Sequence, residues 1–151
     1  MNTAAIEWRW KKFEDLTLEE LYAFLALRQE VFTVEQNCAY QDADGLDAAA
    51  LHLMGYEGGK VVAYLRVFAA GIRYREVAIG RVVTSPQARE RGYGKSMMTE
   101  ALGRIRESFG LVPIRISAQA YLVRFYRGFG FETEGDEYFE NGIPHLAMWR
   151  A

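Results

Sequence analysis

The pattern of apolar and polar residues changes period several times along the chain, and each change predicts an element. Ile6 to Lys11 reads as a first strand. Thr17-Leu18-Glu19-Glu20 fits a capping box, in which the Thr17 hydroxyl and the Glu20 carboxylate each accept a backbone N–H bond across the first helical turn. The helix it opens runs to about Phe32, with Leu18, Leu21, Leu25 and Phe32 as an apolar stripe. Residues 33–50 form a long polar loop with room for a short helical turn, and such loops often carry function. Leu51 to Tyr56, the turn Glu57-Gly58-Gly59-Lys60, and Val61 to Phe68 read as a hairpin. Val77 to Thr84 predicts a central strand that breaks at Ser85-Pro86. A helix from Gly94 to Phe109 then buries Met97, Met98, Ala101, Leu102 and Ile105 and stops at Gly110. Residues 114–118 alternate as a strand does, and 120–127 make a short helix that Gly128 can end. A strand after Phe129 pairs with Leu146 to Arg150 through Asn141-Gly142, a dipeptide suited to a tight hairpin.

The order β-α-loop-βββ-α-β-α-ββ predicts an α/β (α+β) fold, with a mixed central sheet of about seven strands and helices on both faces. With 151 residues, half of them apolar, the chain is expected to be one domain over 1–151 with a substantial core. A net charge of −2 gives no basic footprint for nucleic acid. Cys38 is a single cysteine, so no internal disulfide forms, and the Cys and His spacing offers no metal site. It reads as a small buried or half-buried thiol, with a nucleophilic role as the alternative. No apolar run approaches a membrane span and no signal-peptide core opens the chain, so a soluble, cytoplasmic protein is expected.

The candidate chemistry begins after the central strand. Gly92-Tyr93-Gly94 opens a helix, and the first N–H groups of a helix have no intrahelical partner and carry the positive end of its dipole. Arg89, Arg91 and Lys95 add positive charge, so the segment reads as a pyrophosphate cradle. A P-loop would end in Gly94-Lys95-Ser96 but would need glycine where Arg89 stands. A dinucleotide fingerprint would need glycine at Met97. The pattern met in full is Arg-x-x-Gly-x-Gly, at Arg89, Gly92 and Gly94.

This pattern resembles the pyrophosphate loop of the GNAT superfamily of acyl-CoA-dependent N-acyltransferases. A second resemblance lies in 114–131, where a strand, a short helix and Phe125-Tyr126-Arg127-Gly128-Phe129-Gly130-Phe131 follow one another. Val31 to Asp42, Asp44-Gly45 and Gly142-Ile143-Pro144-His145 further resemble the ElaA-like branch, so the likeness covers nearly the whole chain.

The resemblance implies a mechanism. The fourth and fifth strands splay, acyl-CoA (acetyl-CoA as donor) enters the gap, and backbone N–H groups near Val82 and Val83 hold the thioester and pantetheine. Arg89, Arg91, Gly92, Tyr93, Gly94, Lys95 and Ser96 hold the pyrophosphate. Gln119 stands where the family commonly has asparagine at the cofactor. Tyr126 matches the general acid that serves the departing thiolate. The glutamate that many members carry on the fourth strand is missing, with Ala78 and Gly80 near its place. Glu35 and His145 are therefore the candidate bases. A homodimer is a further expectation from the resemblance.

On the acceptor side Arg28 falls on the apolar stripe, where a guanidinium needs a partner or a route to water. It either snorkels at the core edge or lines the acceptor pocket, and the second reading makes it substrate-binding. Glu35, Asp42, Asp44 and Asp47 precede the sheet, and Glu132, Glu134, Asp136, Glu137 and Glu140 lie near its end. They either flank the cleft and steer a cationic amine or form a solvated acidic surface. A small primary amine is the expected acceptor. His52 reads as a packing residue. Rival functions are a CoA-binding sensor without catalysis, an acyltransferase using longer chains, and a nucleotide hydrolase.

Overall fold

The computed structural model describes residues 6–151. Its strands are β1 (Glu7–Lys12), β2 (Leu51–Glu57), β3 (Lys60–Phe68), β4 (Val77–Thr84), β5 (Ile114–Gln119), β6 (Glu132–Glu140) and β7 (Ile143–Arg150). The helices are α1 (Leu18–Arg28), α2 (Tyr93–Phe109) and the short α3 (Val123–Arg127). One seven-stranded sheet has the order β1-β2-β3-β4-β5-β7-β6. All neighbours are antiparallel except β4 and β5, so the sheet is mixed, as the element order predicts. Asn141 and Gly142, with φ of 51° and 78°, turn β6 into β7 in the left-handed conformation that this dipeptide tolerates.

The two faces of β3 separate the helices. Ala63, Leu65 and Val67 point into a core shared with Met97, Met98, Ala101 and Ile105 of α2 and Tyr126 of α3. Tyr64 points the other way, into a cluster with Phe24 and Leu27 of α1. The methionines of α2 are fully buried core residues.

The α1 capping box forms as expected, with Glu20 N–H donating to Thr17 Oγ1 at 3.0 Å and Thr17 N–H to Glu20 Oε1 at 2.9 Å. The expected apolar stripe forms only in part: Leu21 and Leu25 are half-buried against the α1 cluster and Phe32 is buried. Leu18 is 85% exposed, and the buried face runs through Glu20, Phe24, Leu27 and Arg28. Two charges sit on this face because each meets opposite charge there: Glu20 lies 3.0 Å from both Arg9 and Lys11. The helix also outruns Phe32. After Arg28 it widens into a π-helical segment, Gln29–Glu35, which keeps Val31 and Phe32 buried and ends with Glu35 against Arg89.

Candidate active site

A gap in the sheet makes the cleft. β4 and β5 pair only from Val77 opposite Ile114 to Ile79 opposite Ile116, so the β5-facing edge of Gly80 to Thr84 has no strand beside it. On the other edge of β4 the register with β3 slips by one residue at Arg81-Val82, and Arg81 takes φ of +52°. Such a bulge bends and twists the strand. The cavity measures about 950 Å³ and extends from Arg89 and Gly94 to Glu140 and His145.

At one end it meets the start of α2. Gly92 is the N-cap residue at φ of +77°, a conformation that favours glycine. The first intrahelical bond is donated by Ser96 N–H to the Gly92 carbonyl at 3.1 Å. Among the described residues the amides of Tyr93, Gly94 and Lys95 ahead of it have no partner, and no side chain caps the helix. A Cβ at Gly94 would meet protein atoms only at 3.7 Å or beyond, so packing does not demand this glycine. Three free amides, the dipole of a 17-residue helix and Arg89 together suit a pyrophosphate group.

Val82, Val83, Arg89, Gly94, Gln119, Tyr126, Glu35 and His145 all line the cleft, as the sequence predicts. Other positions differ. Arg91 turns to Glu57, 2.9 Å away at the β2–β3 turn, and the Tyr93 hydroxyl also donates to Glu57. These two side chains brace the loop from behind, and Tyr93 can serve an anion only through its backbone. Lys95 and Ser96 are exposed and do not line the cavity with their side chains.

Tyr126 is 5% exposed, set edge-on between Phe125 and Phe131 at ring distances of 5.2 and 6.1 Å. Burial pushes its phenol well above the usual range, so it keeps its proton. Its hydroxyl has no hydrogen-bond partner among the described residues. His145 is buried, with Nδ1 2.7 Å from the Ile143 carbonyl, which calls for a proton on Nδ1 and leaves a lone pair on Nε2. Nε2 lies 3.7 Å from Glu140 Oε2, and Tyr138 stacks on the ring at 6.2 Å. Glu35 is not free: Arg89 donates to both its oxygens at 2.6 Å and holds its carboxyl below the usual range. Cys38 is half-buried and donates to the Asn141 carbonyl at 3.2 Å, which ties the 36–50 loop to the β6–β7 turn.

Arg28 neither snorkels nor reaches the cleft. It is fully buried, with Nε 2.8 Å from Asp42 and Nη1 2.7 Å from Asp47. Arg66 bonds Asp44 at 2.6 Å and Asp47 at 2.8 Å, and Arg81 lies 2.7 Å from Asp42 and 3.3 Å from Asp44. Three arginines thus neutralise three aspartates under the 36–50 loop. These aspartates are neither a solvated surface nor a cation-steering one, because their charge is spent internally. Burial alone would raise the carboxyls of Asp44 and Asp47, but the arginines outweigh it and hold both below the usual range. His52 packs beneath, with Nδ1 2.6 Å from the Tyr64 hydroxyl and Nε2 2.9 Å from the Asp47 carbonyl. Sequence reasoning flagged Arg28 and the aspartates separately. The signal that could have joined them is the charge on the buried face of α1, which needed partners. Arg66 had no such signal, since it looked like one polar residue in a hairpin strand.

Residues 14–150 match the family model for the acetyltransferase (GNAT) domain. The fold superposes on an acyl-CoA N-acyltransferase from Pseudomonas aeruginosa with a TM-score of 0.93 and 44% identity, covering 97% of this chain and 100% of that one. Protein ElaA of Escherichia coli is 39% identical over 147 residues, 96% of each chain, and its crystal structure gives a TM-score of 0.91. The UPF0039 protein sll0451 of Synechocystis is 42% identical over 144 residues, covering 95% of this chain and 94% of that one. Among the described residues no helix is long and apolar enough to cross a membrane. A split β4–β5 pair, an uncapped helix start behind Arg89-x-x-Gly92-x-Gly94, and matches spanning nearly the whole chain converge: this chain belongs to the GNAT acyltransferase family, beside the ElaA and UPF0039 proteins.

Proposed function

We propose that the protein is an N-acetyltransferase that takes acetyl-CoA as donor and a small primary amine as acceptor, with direct attack of the amine on the thioester. The observation that carries this reading is the continuity of one cleft from the uncapped start of α2, along the unpaired edge of β4, to Tyr126 and His145. GNAT-fold proteins use acyl-CoA, which supplies the acyl group already activated as a thioester.

The chain's own groups divide the remaining work. Amides at the α2 start and Arg89 hold negative charge, and those amides of Gly80 to Thr84 that point to the unpaired, β5-facing edge align the carbonyl end of the donor. His145 Nε2 receives the amine proton, and Glu140 at 3.7 Å stabilises the imidazolium that results. Glu35 is the weaker candidate base, because its ion pair with Arg89 lowers its basicity. Tyr126 donates a hydrogen bond where thiolate charge develops. Its raised pKa favours sharing the proton over releasing it, since a free thiol titrates near about 8.5. We read the compartment as the cytoplasm.

Thermal unfolding with excess acetyl-CoA, and ATP as control, tests the donor. A ligand at about 100 times its Kd adds roughly 2.7 kcal/mol. A shift with acetyl-CoA and none with ATP is expected; no shift with acetyl-CoA would remove the donor assignment. Comparing transfer from acetyl-CoA with transfer from a long-chain acyl-CoA decides the acyl length.

A further inference from the structure

The acceptor end of the cleft, whose use rests on the function proposed above, is chemically two-sided. On the β3–β4 side the carboxylate is Asp44. Its Oδ1 accepts from Leu46 N–H at 3.1 Å and Arg66 Nη1 at 2.9 Å. Its Oδ2 accepts from Arg66 Nη2 at 2.6 Å and Arg81 Nη2 at 3.3 Å. Four bonds fill the lone-pair directions of a carboxylate, so Asp44 has nothing left for an ammonium group. Donors on the same side are in surplus. Arg73 lines the cleft, is exposed, and has no ion-pair or hydrogen-bond partner among the described residues; the Tyr74 hydroxyl likewise has none. Arg66 Nε is buried without an acceptor.

The facing side is the reverse. Glu140 Oε1 accepts from the Ser117 hydroxyl at 2.9 Å, while Oε2 holds no hydrogen bond and faces His145 Nε2 at 3.7 Å. Glu140 is therefore the carboxylate with free capacity at this end. We propose that the acceptor is an amino acid in the broad sense, a primary amine that also carries a carboxylate. Its amino group sits beside His145 and Glu140, and its carboxylate sits against Arg73 and Tyr74. A guanidinium without a partner can take a carboxylate through two parallel charge-assisted bonds, which an alkylamine cannot use. A second free carboxylate, which a polyamine would call for, is missing from this end of the described cleft.

The test uses the full chain with acetyl-CoA and matched pairs: β-alanine against ethylamine, 4-aminobutyrate against propylamine, and phenylalanine against phenylethylamine. At least one carboxylated member is expected to be acetylated with kcat/KM about tenfold or more above its partner. In Arg73→Gln that ratio is expected to fall toward one, and Arg73→Lys to recover part of it. Arg73 is an exposed residue of the β3–β4 connection, so these variants should fold. Equal or faster transfer to the alkylamines, or a ratio unchanged in Arg73→Gln, overturns the proposal. Stabilisation by acetyl-CoA with no transfer to any carboxylated amine overturns it while leaving the donor assignment standing. Absence of stabilisation by acetyl-CoA overturns both.

Discussion

At the α2 end the cleft presents backbone: three partnerless amides, an uncapped helix start and a strand edge with no neighbour. At the end covered by residues 36–50 it presents side chains, and most of their hydrogen-bonding capacity is spent within an arginine–aspartate network. The first end is built from a contiguous stretch of 17 residues, Gly80–Ser96, and is open for a ligand. The second joins residues from α1, the loop, β3 and β4, and much of it is closed on itself. A donor common to a family suits recognition by backbone, which any sequence with the right turn can supply. An acceptor is selected by the few side chains that the network leaves free.

Breaking the network tests this contrast most severely. Arg28→Met removes one of the two arginines at each of Asp42 and Asp47, which keep only Arg81 and Arg66, and breaking a buried pair costs up to about 3–5 kcal/mol. Urea unfolding should register that loss; a change under about 1 kcal/mol would mean that the loop does not depend on the network.

Tyr126→Phe tests the proposed chemistry and should spare both ends. We expect kcat to fall roughly a hundredfold with acetyl-CoA binding retained. A wild-type rate across the pH range would remove Tyr126 from the reaction.

Acidification should weaken the network end in two stages. His52 is held neutral by burial, with its folded pKa below the value near about 6.5 of the unfolded chain. As the pH drops below that value, the unfolded chain binds a proton that the native one refuses, and stability declines until the folded pKa is reached. Asp44 and Asp47 act lower. Their contribution is complete above the unfolded carboxylate value near about 3.9 and disappears as the pH falls through their depressed folded values. Urea midpoints across pH should show both stages, and His52→Gln should abolish the upper one.

The smallest effect sharpens the backbone end. Glu35 occupies Arg89, so Glu35→Gln should free that arginine and tighten acetyl-CoA binding by about two- to fivefold at low salt, the range of an exposed ion pair. The kcat should stay within about twofold. If it collapses, Glu35 and not His145 is the base.

Local signals explain which features were legible. The Thr17–Glu20 capping box, the Asn141-Gly142 turn and the glycines around Arg89 each act within a few residues, and each formed where expected. The α1 stripe held only in part because helical spacing alone cannot say which residues meet the sheet; Leu18 periodically matches Leu21 and Leu25 yet faces solvent while they pack on the core. Arg91 and Tyr93 sit beside true cleft residues in sequence, but Glu57, 34 and 36 residues away, draws their side chains outward.

By itself the sequence determined the order of elements, the mixed sheet with helices on both faces, and the loop that leads into α2. These depend on periodicity and turn chemistry, which are properties of neighbours along the chain. Tertiary structure alone decided that Arg28 belongs to Asp42 and Asp47, that Glu35 sits on Arg89, and that Arg73 and Glu140 keep free capacity on facing sides of one cleft. Electrostatic pairing acts through space over a few ångströms, and the residues it joins here lie 14 to 54 positions apart.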